Sequence, residues 1–268
     1  MPVKKDESGN HFIELQFEMP ATPEQVWQAI ATGPGITAWF VPSEVEERQG
    51  GKVVFHLGPG MDSNGTVTVW DPPRELVYEE PNWSGDAPPL ATQFIIEARS
   101  GQTCTVRVVT SLFVSEDQWD KELDSMEKGW APFFEVLRIY LENYPGQPAA
   151  SVRPMASFPG TEAEAWDTLL RQMNLVGAKK GDHRKSAGTS PEFSGVVEHA
   201  TSRWHPSLTL RIDSPTTGVA LIGAFSWGAD VKLGISFFYY GPEANAVAAK
   251  EESRGQKWLD ELVAAAKS

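Results

Sequence analysis

Cysteine is nearly absent from this chain of 268 residues: Cys104 stands alone, so no intrachain disulfide can form. Set in the strand-like run Thr103-Cys-Thr-Val-Arg-Val-Val, it reads as a small buried hydrophobe. Long apolar runs are also missing. No segment has the uninterrupted apolar length of a membrane span, and the opening MPVKKDESGN lacks the apolar core of a signal peptide, so the expected location is the cytoplasm. Histidine is sparse, and His11, His56, His183, His199 and His205 nowhere fall at ligand spacing on a readable helix or hairpin. With no phosphate-cradling glycine motif either, no metal and no cofactor are expected.

Positive charge is scarce in the first half. Residues 1–150 hold 23 acids and 10 bases, leaving 13 of each from the totals of 36 and 23 for the remainder. All of the net charge of −13 therefore lies in the first half. An acidic surface repels phosphate backbones and anionic lipid, which argues against nucleic acid and membrane as partners.

What is plentiful is large aromatic side chains, with 10 Trp and 13 Phe. They gather on one stretch above all, Ser115 to Tyr144. There Trp119, Leu123, Met126, Trp130, Phe133, Phe134, Leu137, Leu141 and Tyr144 recur at steps of three and four and form one helical stripe. Ser115 and Gln118 make a capping box at its start, while Pro132 in the middle predicts a kink and two half-helices sharing one apolar face. A stripe this wide has to cover something, and a run of strands precedes it.

Residues 12–19 alternate cleanly, with Ile13, Leu15, Phe17 and Met19 on one face. Thr22-Pro-Glu-Gln is a capping box that opens a helix carrying Val26, Trp27 and Ile30 inward, and Gly33-Pro-Gly breaks it. Period-two segments follow near 43–48, 52–57, 66–70, 75–80, 90–98 and 103–113. The order predicts an α+β unit over residues 1–145: a curved antiparallel sheet wrapped on a long C-terminal helix. Four prolines in residues 145–160 mark residues 146–160 as a linker. Residues 161–268 then repeat the order helix, strands, long helix in reduced form, with strands near 194–199, 207–213, 218–227 and 232–240 and a mobile basic loop over 177–192.

Four motifs carry a family resemblance: Thr22-Pro-Glu-Gln-Val-Trp, the Trp39-Phe40 pair before Val41-Pro42, Gly65-Thr-Val-Thr-Val-Trp-Asp-Pro-Pro-Arg-Glu-Leu-Val-Tyr, and Glu127-Lys-Gly-Trp. Read together they resemble the START-like helix-grip superfamily (SRPBCC), in its bacterial branch related to the activator of the heat-shock chaperone ATPase. The resemblance covers about residues 10–145, and the second half looks like a degenerate copy. It implies an apolar cavity between the long helix and the sheet, which different members use for lipids, polyketides or other hydrophobic molecules.

The candidate ligand-binding residues are Trp39, Phe40, His56, Trp70, Tyr78, Trp83, Trp119, Trp130 and Phe134. The aromatics offer flat faces for stacking a ring-bearing ligand, or else fill the core of a helix laid on a sheet. Trp83, between turn residues in PNWSGDAPP, is placed as a lid. His56 on a cavity-facing strand would orient a carbonyl or act as a base, and on the opposite face would be a solvated strand residue. Surface is the default position for Tyr78, Glu80 and Arg107. The reading favoured is a non-catalytic binder of a hydrophobic or aromatic small molecule, because aromatic candidates are easily named and catalytic ones are not. A cyclase or aromatase acting on a polyketide-like substrate is one alternative. The other is a chaperone-modulating module that meets a protein partner, and a homodimer is a further candidate assembly.

Overall fold

The computed structural model describes residues 3–5, 10–58, 60–81, 83, 87–112, 120–201, 206–227 and 230–266. The chain divides into two compact units, Met1–Gly146 and Gln147–Ser268.

The first unit begins with β1 (Lys4–Lys5) and β2 (His11–Met19), followed by α1 (Pro23–Ala31) and α2 (Gly33–Thr37). Thr22 caps α1 as its sequence demands: its hydroxyl accepts from the Gln25 amide, and the Gln25 side chain accepts from the Thr22 amide. A meander follows, of β3 (Ser43–Val45), β4 (Lys52–His56), β5 (Asp62–Asp71), β6 (Glu75–Glu80), β7 (Leu90–Ala98) and β8 (Cys104–Leu112). The sheet order β1-β2-β8-β7-β6-β5-β4-β3 places the first long strand beside the last, every neighbour antiparallel. Alternation then sorts the side chains. Phe17, Val106 and Ile96 share a face with Phe94, Leu76 and Tyr78, while Glu14 and Arg107 pair at 3.3 Å on the other face.

The last element of this unit, α3 (Asp120–Asn143), lies on the apolar face. Its Phe134 stacks on Phe17 with centroids 4.1 Å apart and planes within 5°. Pro132 sits inside one continuous helix rather than dividing two. The packing of Trp130, Phe134 and Leu137 on either side holds the helix against the local cost of the missing donor. The expected cap at Ser115 lies outside the described residues.

The second unit has the same ground plan with a shorter meander. It runs β9 (Ala149–Val152), β10 (Met155–Phe158), α4 (Glu162–Gln172), β11 (His183–Lys185), β12 (Ser194–Thr201), β13 (Ser207–Ser214), β14 (Gly218–Trp227), β15 (Asp230–Tyr240) and α5 (Ala244–Ala266). β9 and β10 pair with successive halves of β15, so first and last strands are again neighbours, and α5 packs on them. The expected linker over 146–160 is thereby corrected. Its prolines fall before, between and after two short edge strands, where no ladder donor is needed, and the residues between them pair with β15. The basic segment 177–192 likewise contributes a strand, β11, held in register with Ser194–Val196. The core of this unit is mostly aliphatic, built from residues such as Leu169, Leu210, Ile222 and Ile235 with Phe193, Phe237 and Trp258. Among the described residues no helix is long and apolar enough to cross a membrane.

Candidate functional site

The inner face of the first sheet, beneath α3, brings together five of the nine side chains singled out in the sequence. Trp39 is buried, and its indole N–H donates to the Ala29 carbonyl at 2.9 Å, which anchors the end of α2 to α1. Its ring meets Phe40 at 5.8 Å, Phe134 at 5.3 Å and Trp130 at 6.4 Å. Phe40 reaches Trp130 at 5.1 Å and Phe133 edge-on at 5.0 Å, and Trp130 meets Phe94 edge-on at 6.2 Å. Tyr78 closes the chain, its ring 5.2 Å from Phe55 and 6.3 Å from Phe94. These are offset and edge-to-face arrangements, each worth about 0.5–1.5 kcal/mol beyond burial. Trp39 and Phe134 are enclosed core, whereas Phe40, Trp130 and Phe133 stay half-buried at the border of the cluster.

Of the other four, Trp83 also reaches this face, Trp70 takes the same face as its register partner Leu76 but packs on α1, and His56 does not share it. His56 is corrected to the surface: its side chain is 38% exposed and lies between Asp62, at 2.9 Å from Nδ1, and Glu44, at 3.5 Å from Nε2. The bond to Asp62 is the largest of the influences that raise its pKa above the ordinary histidine value. Val53 and Phe55 take the inner face of β4, the larger apolar set winning the buried side. Trp70 packs edge-on against Trp27 of α1 at 4.9 Å, away from the Trp130 cluster. Trp83 does reach the inner face, packing with Trp130 against Ile13, Leu90, Leu112 and Leu123, and its indole N–H donates to the Pro88 carbonyl at 2.8 Å. Trp119 lies outside the described residues.

Polar groups that the sequence assigned to the surface lie within this apolar face. Register sets Ile13, Thr110, Thr92 and Tyr78 side by side across β2, β8, β7 and β6, and sets Leu90 beside Glu80 one step along. Thr110 is 1% exposed, Thr92 1%, Tyr78 4% and Glu80 7%. A side-chain hydrogen bond with Thr92 favours the ionised Tyr78 phenol, but burial foremost, and then the charge of Glu80, push the phenol well above its ordinary value. Burial also raises the Glu80 carboxyl, against the opposing effect of the hydrogen bond it accepts from Ser63. Among the described residues, the Thr110 hydroxyl has no hydrogen-bond partner. Gly65, opposite Glu80 on β5, makes the room: a Cβ there would stand 2.9 Å from Val53 Cγ1 and 3.1 Å from Glu80 Cγ. The signal available in the sequence was alternation. Leu76, Tyr78 and Glu80 share one face of β6, and once Leu76 is inside, the other two must follow.

A curved antiparallel sheet closed by a C-terminal helix, with an aromatic inner face, defines a protein of the helix-grip class. Residues 20–142, within the first unit, match the family model described as Activator of Hsp90 ATPase homolog 1-like protein. No curated protein matches the chain. Among solved structures, CalU16 from Micromonospora echinospora is 17% identical, over 53% of this chain and 83% of its own, with a TM-score of 0.43. The Aha1 dimer from Colwellia psychrerythraea is 20% identical over 49% and 96%, with a TM-score of 0.41. The di-domain ARO/CYC BexL from the BE-7585A biosynthetic pathway is 11% identical over 96% and 94%, with a TM-score of 0.44.

Proposed function

We propose that the first unit binds a hydrophobic, ring-bearing small molecule between α3 and the inner face of its sheet. The observation that carries this reading is the Thr110 hydroxyl, buried on this face without a hydrogen-bond partner among the described residues. A buried polar group left unpaired costs about 1–3 kcal/mol, and a core that served packing alone would place valine at that position. Thr92, Tyr78 and Glu80 beside it supply further polar groups, and half-buried Phe40, Trp130 and Phe133 supply ring faces. A few polar groups converging in an aromatic wall is the usual make-up of a small-molecule site.

The test is titration with the neutral planar dye N-phenyl-1-naphthylamine, followed by its fluorescence. Saturable binding is expected, weakened about tenfold or more in W130A by the loss of a stacking face, since tenfold corresponds to about 1.4 kcal/mol. Absence of saturation, or unchanged binding in W130A and F40A, would refute the reading. One observation favours a second reading, an acid–base enzyme of the cyclase or aromatase type. Glu80 has its pKa raised toward the working range of a general acid, with Tyr78 next to it on the same face. It predicts turnover of a polyketone that E80Q abolishes, with dye binding retained.

A further inference from the structure

The inner face is one-sided in its electrostatics. Glu80 accepts one hydrogen bond, from Ser63, whereas an ionised carboxylate has about four acceptor positions. Tyr78 precedes it on the same face, and its ring leads through Phe94 to Trp130; such ring faces carry negative potential and attract cations while repelling anions. The described basic side chains that could neutralise Glu80 are engaged elsewhere. Lys4 and Arg107 pair with Glu14 on the opposite face, Arg138 pairs with Glu135 and Glu142 along α3, and Arg74 and Arg99 pair with Asp71 and Glu97. His11 shares the face but lies on β2, separated from Glu80 by β8 and β7.

A buried carboxylate lacking a counter-charge costs several kcal/mol, and that cost falls when a cation arrives from outside. An anion brought to the same place would meet the carboxylate and the ring faces with nothing in the described face to offset them. The surrounding field has the same sense, because the whole net charge of −13 lies in residues 1–150. Resting on the reading that this unit binds a ring-bearing molecule, we propose that its ligand is an organic cation. It is an aromatic amine whose ammonium group pairs with the Glu80 carboxylate while its ring system packs against Trp130 and Phe40.

Three probes that share one ring system test this: 1-naphthylmethylammonium, 1-naphthylmethanol and 1-naphthylacetate, titrated calorimetrically into the full chain at pH 7 and physiological salt. The cation is expected to bind about tenfold more tightly than the alcohol, the equivalent of about 1.4 kcal/mol, and the anion least of all. E80Q, which keeps an acceptor for Ser63, should lose that tenfold preference and hold the alcohol within about twofold. E18Q, at an exposed acid on the outer face of β2, should leave the ranking intact. Equal or weaker binding of the cation than of the alcohol would overturn the charge assignment and leave ring binding standing. Loss of the preference in E18Q as large as in E80Q would assign it to the surface field and also overturn the proposal. If none of the three probes binds, the ring-binding reading falls as well. Should E80Q fail to fold, the wild-type ranking alone decides.

Discussion

Thr110 and Thr92 are cross-strand partners on β8 and β7, both 1% exposed, yet among the described residues one hydroxyl is unpartnered and the other is hydrogen-bonded with Tyr78. Replacing each by valine, which swaps a hydroxyl for a methyl of similar volume, should therefore change stability in opposite directions. In T110V the desolvated hydroxyl disappears and nothing is left unpaired, so the first unit should gain about 1 kcal/mol. In T92V the Tyr78 phenol loses its hydrogen-bond partner in a buried place, and the loss should be about 1–1.5 kcal/mol. The two variants thus differ by about 2 kcal/mol, or roughly 4–8 °C in melting temperature for a unit of this size. Because the chain has two units, the reading should be taken from hydrogen exchange of β7 and β8 amides under urea, which reports the first unit alone. A T110V variant less stable than wild type by half a kcal/mol would refute the argument, since it would mean that the hydroxyl has a partner. A more stable T110V that binds the ring-bearing probes less well would link the unpaired group to function, as expected when a site is kept at the expense of stability.

Glu80 has a raised folded pKa, so its contribution is fully present below the unfolded value of about 4.5 and is lost as pH rises through the folded value. E80Q should accordingly match wild type in acid and exceed it in stability near neutral pH, as read from urea melts at several pH values. His56 is also raised, and its bonus is fully present below about 6.5 and lost as pH rises through its folded value. In D62N the His56 resonance, followed by NMR, should titrate at lower pH than in wild type; an unchanged midpoint would remove Asp62 as the cause. Phe134, 1% exposed and stacked on Phe17 at 4.1 Å, should cost about 3–5 kcal/mol when cut to alanine, measured by denaturant melts. A cost below about 1 kcal/mol would show that the aromatic cluster is loosely packed.

Local rules alone determined much of this protein. The capping boxes at Thr22 and Thr161, the alternation in 12–19, 75–80 and 90–98, and the three-four stripe of the long helix each specify an element from its own residues. The order of those elements specifies the sheet wrapped on a helix. Where local rules failed, a distant partner decided. The proline-containing segment 149–158 is strand because β15 offers it a ladder, and Pro132 stays in a helix because the sheet beneath holds the side chains around it. The site shows the same division. Aromatic content marked Trp39, Phe40, Trp130 and Phe134 in advance, since large flat side chains at helical spacing must be buried somewhere. Which face of β4 and β6 turned inward was settled by summing apolar area across the whole sheet, and that sum put His56 outside and carried Tyr78 and Glu80 in with Leu76. Thr110, Thr92 and Tyr78 became a single polar line, with Glu80 one step along, only through strand register, a relation between residues far apart in the chain that composition and spacing do not contain.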